Sequence, residues 1–152
     1  MIWLERSYDR FYVREMVTHK DVWPFVHCDG NDRNTYEPPN LEGHIALFVH
    51  VDGVWCGGWI FRPIEQGHYE VHTCLFYPIT TKDSVKAGKL ACNWLKENAG
   101  VKYLSSLVPV NNARALWYAL KVGFKITGIK ELSFMKDGVL LDQTMVGRSL
   151  CQ

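Results

Sequence analysis

The sequence predicts an α+β domain built on a mixed, mostly antiparallel twisted sheet that is flanked by helices. Segments with period-two alternation predict strands, and amphipathic segments with helical periodicity predict helices between them. Their order is strand, helix, three antiparallel strands, helix, strand, helix and two strands, which differs from a regular doubly wound domain. A length of 152 residues with 47% hydrophobic residues suits a single domain over 1–152, because domains most often run to about 100–150 residues.

The N-terminal part predicts one strand, one helix and a long loop. The strand is IWLERS at 2–7, and a helical stretch follows around Phe11 to Met16. Pro24 limits any helix that continues into it, because proline lacks an N–H and disfavours helical geometry in the residue before it. The segment from His27 to Gly43 is rich in Gly, Asn, Asp and Pro, and a loop of this length in a compact domain is often functional.

The middle of the chain predicts three antiparallel strands. IALFVHV and VWCGGWIF flank Asp52-Gly53, a pair that tolerates the positive φ angles of a tight turn, and HYEVHTCLFY follows a turn at Gln66-Gly67. Gly57-Gly58 within the second strand favours a β-bulge or the close approach of a ligand. The alternative is that these glycines leave room for Trp55 and Trp59 to pack.

A helix is predicted next, from about Lys82 to Asn98. Thr80 and Asp83 can form a capping box at its start, and Gly100 stands where a helix stop is expected. One apolar stripe at helical spacing comprises Ala87, Leu90, Ala91, Trp94 and Leu95.

The rest of the chain predicts strand, helix and hairpin. KYLSSLVPV is the strand, Asn112 to Val122 is the helix, and Gly123 ends it. FKITGIKELSFM and VLLDQTMVG form the closing hairpin around Lys136-Asp137-Gly138.

Composition argues against several classes of function. A net charge of +1 does not favour a nucleic-acid partner, because such proteins carry clustered basic residues. No apolar run approaches the roughly 20 residues of a membrane span, and MIWLERSYDR lacks the layout of a signal peptide. The five cysteines are scattered without CxxC spacing, which favours a reduced, cytoplasmic protein over a disulfide scaffold or zinc site.

The segment VPVNNARALWYALKVGF at 108–124 carries a family resemblance. It combines Asn-x-x-Ala, a helix, Gly-Phe and a further glycine, at Asn112, Ala115, Gly123, Phe124 and Gly128. In its strand–helix–strand setting this pattern resembles the GNAT superfamily of acyl-CoA N-acyltransferases, over His44 to Ser149. The resemblance implies the GNAT fold, with the sheet splayed between the strands near 70–76 and 103–109.

A narrower resemblance comes from GHYEVHT, VPVNNARA, VGF and DGVLLDQ. Together these segments resemble a group of phage-encoded GNAT-like proteins, some of them acetyltransferases and others virion or head-assembly components. This resemblance implies a location in the host cytoplasm or the virion, and other phage virion proteins as partners.

The GNAT resemblance also implies acetyl-CoA as co-substrate and an amine acceptor, either a small molecule or a protein. Backbone groups at the splayed strand would bond the pantetheine arm, and free amides at the start of the following helix would hold the pyrophosphate. The residues expected to contact the cofactor are Cys74, Leu75, Phe76, Lys82, Lys86, Ala87, Gly88, Lys89, Asn112 and Ala115.

The pyrophosphate pattern of the family is only partly present. It runs Arg or Gln, two residues, Gly, one residue, then Gly or Ala. If Gly88 fills the last place, Lys86 stands at the first glycine and Asp83 at the Arg or Gln. If Gly88 is instead the first glycine, Val85 stands at the Arg or Gln and Leu90 at the last place. The lysines of this helix could compensate by charge, or could form only a solvated helix face.

The implied catalysts are a base on the splayed strand and a tyrosine. Glu70 and His72 share one strand face, where an imidazole or a carboxylate with a pKa raised by burial would suit deprotonation of an amine. Family members often place a general-acid tyrosine four residues before the glycine of Gly-Phe, where this chain has Ala119. Tyr118, one residue earlier and about 100° around the helix, is the candidate acid; the alternative is a core or partner-surface role.

The same strand face leaves two other interpretations open. His68, Glu70 and His72 could form a hydrogen-bonded polar face, or could bind a metal, but no further ligand is placed by the sequence and no metal is predicted. The first function predicted is an N-acetyltransferase that works by direct attack of the amine. The alternatives are a catalytically degenerate structural or accessory protein of a phage virion, and a module that binds CoA without turnover.

Overall fold

One mixed sheet organises residues 1–151, the part of the chain that the computed structural model describes. Its strands are β1 (Ile2–Ser7), β2 (Ile45–Val51), β3 (Val54–Glu65), β4 (His68–Leu75), β5 (Tyr103–Pro109), β6 (Lys125–Lys136) and β7 (Val139–Ser149). The helices are α1 (Arg10–Val17), α2 (Trp23–Val26), α3 (Thr81–Ala99) and α4 (Ala113–Val122). The strand order is β1-β2-β3-β4-β5-β7-β6, and within it only the β4–β5 pair is parallel. The predicted α+β class is confirmed.

Helix ends follow the local signals of the sequence. The Thr80 hydroxyl accepts a hydrogen bond from the Asp83 amide at 3.1 Å, and the Asn112 side chain accepts one from the Ala115 amide at 3.2 Å. Gly100 and Gly123 end α3 and α4 with φ of 63° and 113°, values that a glycine adopts without steric cost. The Thr80 half of the predicted capping box and both glycine stops are confirmed, whereas Asn112, predicted within the helix, caps it from outside.

The N-terminal helices differ from the prediction in one respect. The Asp9 side chain accepts from the Phe11 amide and caps α1, which ends at Val17 before any proline intervenes. Pro24 does not end a helix; it lies in the first turn of α2, where the missing N–H has no helical partner to lose. Sequence periodicity missed α2 because four residues make barely one turn.

The Gly57-Gly58 pair forms the predicted bulge. The register between β2 and β3 shifts between the Phe48 and His50 pairs, and Gly57 has φ of +86°. The close neighbours of these glycines are backbone carbonyls, since a Cβ at Gly57 would collide with Cys74 O and one at Gly58 with Leu47 O. The glycines thus permit tight strand packing, and the neighbours that require them are protein backbone.

The two sheet faces carry separate hydrophobic cores. Val71 and Leu95 belong to the cluster between the sheet and the α3/α4 pair, whereas Cys74 and Met16 belong to the cluster under α1 and α2. The predicted α3 stripe is partly wrong: Leu90 is 36% exposed, and Gly88 and Cys92 are buried in its place. The helix is rotated so that its small residues face its neighbours.

The sheet splits between β4 and β5, as predicted. The two strands pair only through His68 to Glu70 on β4 and Tyr103 to Ser105 on β5. Beyond that point β5 follows β7 along its full length, while β4 follows β3. The two half-sheets therefore diverge and leave an opening.

The loop at 27–44 is fixed to both half-sheets. Arg14 Nε donates to Tyr36 O at 3.1 Å, which holds the loop against α1. At the other half-sheet, the Asp29 carboxylate accepts from the amides of Gly138 and Asp137 at 2.8 and 3.0 Å. These backbone bonds lower the pKa of Asp29. Among residues 1–151 no helix is long and apolar enough to span a membrane.

Candidate active site

A cleft of about 1000 Å³ occupies the opening between β4 and β5. Its walls come from both strands, from α3 and α4 on one sheet face, and from α2 with the preceding turn on the other. A cavity that passes through the sheet in this way brings residues from both faces into contact with one ligand. All three predicted catalytic residues, Glu70, His72 and Tyr118, line this cleft.

The open edge of β4 presents alternate backbone groups to the cleft. Val71 O accepts from Ser106 Oγ across the split at 3.0 Å, whereas Phe76 N donates to Cys56 O on β3 at 3.1 Å. Because the N–H and C=O of one strand residue point to the same edge and alternate along the chain, Thr73 and Leu75 face the cleft. Leu75 was predicted to do so, and Thr73 was missed.

Two of the predicted pantetheine contacts need correction. The backbone of Cys74 faces β3, with its carbonyl against Gly57, and Phe76 is bonded to the same strand. The Cys74 thiol is buried under α1, and burial raises its pKa to about 12. Only the side chain of Phe76 lines the cleft. Sequence alternation distinguishes the two edges of a strand but does not say which edge is open.

The start of α3 offers free amides beside the cleft. The Asp83 amide donates to the Thr80 side chain and the Ser84 amide to Thr80 O, so the amides of Thr81 and Lys82 remain without a partner among the described residues. Thr80, Thr81 and Ser84 line the cleft. This end of α3 can therefore accommodate an anion with hydroxyl and amide donors.

The other α3 residues predicted to hold pyrophosphate lie elsewhere. Lys82, Lys86 and Lys89 have exposed side chains outside the cleft lining, on a helix face roughly half a turn from Ser84. Ala87 is 0% exposed within the core. The lysine side chains are thus a solvated helix face, and the prediction that Ala87 contacts cofactor is corrected by its burial.

Gly88 has a different role from the predicted phosphate glycine. Gly88 lies about two turns into α3 and packs against α4. A Cβ added there would lie 2.6 Å from the Tyr118 hydroxyl and 2.7 Å from Val122 Cγ2. The missing side chain makes room for the phenol. Trp59 Nε1 donates to the Tyr118 oxygen at 3.2 Å. Sequence reasoning missed Trp59 as a partner because the two residues are distant in the chain.

Tyr118 reaches the cleft although it stands one step before the family position. Burial raises the pKa of Tyr118 above its usual range, and the Trp59 hydrogen bond only partly opposes this. Ala119, at the family position, is 9% exposed and packs in the core. Asn112 and Ala115 also line the cleft, with the Asn112 oxygen engaged as the α4 cap.

Glu70 and His72 form a hydrogen-bonded pair on the opposite wall. Glu70 Oε1 lies 3.1 Å from His72 Nε2 and 3.1 Å from Arg62 Nη2. The hydrogen bond from His72, with a further one from Arg62, outweighs burial and lowers the pKa of Glu70 to about 2. The predicted carboxylate with a raised pKa is therefore wrong, because sequence did not show the cross-strand Arg62.

His68 stands apart from this pair. Its Nε2 lies 2.7 Å from Ser105 Oγ at the closed end of the split. Within the described chain, 1–151, no group of three or more His, Cys, Asp or Glu side chains is arranged to hold a metal ion. The three polar residues of the strand face thus divide into a structural contact and a cleft-lining pair.

Several solved acetyltransferases share this architecture. The spermidine N-acetyltransferase of Vibrio cholerae, solved with CoA and spermine, has a TM-score of 0.78 at 13% identity and covers 98% of this chain and 95% of its own. A GNAT-family acetyltransferase of Streptococcus pneumoniae gives 0.72 at 13% identity, over 98% and 99%. The Salmonella typhimurium protein yncA, solved with its cofactor acetyl-CoA, gives 0.74 at 17% identity, over 99% and 95%.

Identities this low establish the fold alone. No protein-family model matches the sequence, and no curated protein matches it. The chain has the GNAT acetyltransferase fold, with a split sheet that holds a large cleft lined by a Glu–His pair and a tyrosine.

Proposed function

We propose that this protein is an N-acetyltransferase that uses acetyl-CoA and acylates an amine by direct attack. The cleft at the sheet split supports this, because it joins open strand edge, free helix amides and two titratable walls in one cavity of about 1000 Å³. The Vibrio cholerae and Salmonella typhimurium neighbours were solved with CoA and acetyl-CoA, which supports the same co-substrate here.

The residues present fit acetyl-CoA despite the incomplete pyrophosphate pattern. The open backbone groups of Thr73 and Leu75 would hold the pantetheine arm as an added strand, and the amides of Thr81 and Lys82 would receive the pyrophosphate. Thr80 and Thr81 line the cleft beside these amides, whereas the Ser84 hydroxyl already donates to Thr81 O at 2.7 Å. When bound, acetyl-CoA supplies the thioester carbonyl on which an amine acts.

His72 is the proposed base. Its Nε2–H donates to Glu70, which stays ionised at neutral pH because its pKa is about 2. With the Nε2 proton held there, Nδ1 is left to accept a proton from the acceptor ammonium. Glu70 is thus a positioning residue that sets the tautomer and orientation of His72, and it is too weak a base to take the proton itself.

Tyr118 is the proposed acid. Burial keeps its hydroxyl protonated at neutral pH, so the phenol holds a proton for a departing thiolate. The Trp59 N–H occupies a lone pair of the phenol oxygen, which leaves the hydroxyl hydrogen free to point into the cleft and stabilises the phenolate that forms on donation.

The proposal depends most on one observation: His72 and Tyr118 line one cleft from opposite walls. Titration of the protein with acetyl-CoA by calorimetry, followed by chromatographic detection of acetylated amine, tests it. Binding with turnover is expected. Absence of acetyl-CoA binding would remove the proposal.

Two other functions remain as predictions with their own tests. A module that binds CoA without turnover is favoured if titration succeeds and no amine in a broad panel is acetylated. A structural or accessory protein of a phage virion stays a prediction, and co-purification with capsids is the result that would favour it.

A further inference from the structure

The acceptor side of the cleft is lined by aromatic side chains that water reaches. Phe25 is 62% exposed and Tyr77 is 83% exposed, and both line the cleft together with Phe76 and Phe134. They come from α2, from the turn after β4 and from β6. Single exposed aromatics are common, but several around one cavity mark a binding surface.

A smaller cavity of about 120 Å³ opens beside this aromatic wall. Phe25 and Phe134 line both cavities, so they form the wall that the two share. Its size is near the roughly 150 Å³ of an engineered cavity that holds benzene. Asn111 and Lys136 add polar groups at its surface.

The charges around the cleft disfavour a polycation. Its charged residues, besides His72, are Lys20, Asp21, Glu70 and Arg114. Glu70 is already paired with Arg62 at 3.1 Å and hydrogen-bonded to His72 at 3.1 Å, and Asp21 lies 3.8 Å from His19. A polyamine carries several positive charges and needs several free carboxylates. This cleft offers at most Asp21, in a lining that also carries Lys20 and Arg114.

From the aromatic wall and this charge balance we infer that the acceptor is a primary monoamine on a short chain that carries one aromatic ring. The ring packs between Phe25 and Phe134, and the amine reaches the Glu70–His72 pair. This inference rests on the proposed function, since it names the acceptor of the same reaction. It distinguishes this chain from the Vibrio cholerae neighbour, which is a spermidine N-acetyltransferase.

The test compares three amines with the full chain and acetyl-CoA: 2-phenylethylamine, n-butylamine and spermidine. Acetylated amine is measured by chromatography, which the free thiols of the protein do not disturb. The highest kcat/KM is expected for 2-phenylethylamine. A higher value for spermidine or butylamine, or acetyl-CoA binding without product from any of the three amines, overturns the inference alone. Absence of acetyl-CoA binding overturns it together with the proposed function.

Substitution of the aromatic wall sharpens the test. Phe25→Ala should lower the ratio of kcat/KM for 2-phenylethylamine over butylamine by roughly tenfold, the size of a lost apolar contact in a specificity pocket. Phe11→Ala is a matched control, because Phe11 is also 62% exposed but lies on α1 outside the cleft. An unchanged ratio in Phe25→Ala, or an equal fall in Phe11→Ala, overturns the inference.

Discussion

The two walls of the cleft place their titratable groups in opposite environments. On β4, Glu70 receives hydrogen bonds from His72 and Arg62, and its pKa falls to about 2. On α4, Tyr118 is packed against α3 and its pKa rises. The comparison shows how one cleft widens the ordinary gap between a carboxylate and a phenol, since hydrogen bonds lower the pKa of Glu70 and burial raises the pKa of Tyr118.

The two walls also differ in how far solvent reaches their side chains. His72 has a side chain that is 54% exposed, so the base wall is open to an arriving amine. Tyr118 depends on an empty position at Gly88 and on Trp59, which is 2% exposed. We expect substitutions on the tyrosine wall to disturb packing and chemistry together, and substitutions on the β4 wall to disturb chemistry and pH response.

The largest effect is expected from Tyr118→Phe. Loss of a general acid should lower kcat by roughly 10²–10³-fold, within the usual contribution of acid–base catalysis. Steady-state kinetics with 2-phenylethylamine measures it. Tyr12→Phe is the control, because it removes the same hydroxyl from a tyrosine on α1 outside the cleft; an unchanged kcat in Tyr118→Phe would refute the assignment of the acid.

His72→Gln should lower kcat by roughly 10²-fold. Steady-state kinetics at neutral pH is the measurement. His50→Gln replaces a histidine on β2 that is paired with Glu5 outside the cleft, and it should keep the native kcat; an unchanged kcat in His72→Gln would exclude His72 as the base.

Gly88→Val should reduce the free energy of unfolding by about 1–3 kcal/mol, because the new side chain overpacks the space held by Tyr118 and Val122. It should reduce kcat as well by displacing the phenol. Urea unfolding and kinetics measure the two effects. Lys89→Val, at the next and exposed helix position, is the control, and equal behaviour of the two variants would refute the packing argument.

The smallest effect is expected from Glu70 on stability. Its pKa is depressed in the folded state, so its stabilisation is present above about pH 5 and is lost as the pH falls toward 2. Glu70→Gln should therefore be about 1 kcal/mol less stable than the native chain at pH 7, given the exposure of Arg62, with the gap closing in acid. Urea unfolding at several pH values checks this, with the exposed Glu42→Gln as control. A gap that does not change with pH would contradict it.

Local signals made the fold predictable, and distant contacts limited prediction of the site. Thr80, Asn112 and Gly123 act within one helical turn of their own positions, so sequence placed α3 and α4 correctly. The role of Gly88 depends on where α4 lies, and the pKa of Glu70 is lowered by His72 and further by Arg62 across the β3–β4 hairpin.

Two further site features required the assembled sheet. The cleft-facing edge of β4 follows from its register with β3, which separates Leu75 from Cys74 and Phe76. The lysines of α3 point away from the cleft because the small residues of that helix face its neighbours. Spacing along the chain does not reveal either fact.

The loop at 27–44 has a consequence for the width of the cleft. The loop begins at the end of α2, which packs on the N-terminal half-sheet. Asp29 within the loop is bonded to the turn between β6 and β7 on the other half-sheet. Lys136 Nζ adds a bond to His27 O at 3.2 Å. The two half-sheets are therefore joined at both ends of the split, by strand pairing at one end and by this loop at the other. Any widening of the cleft must first lengthen or break the Asp29 hydrogen bonds.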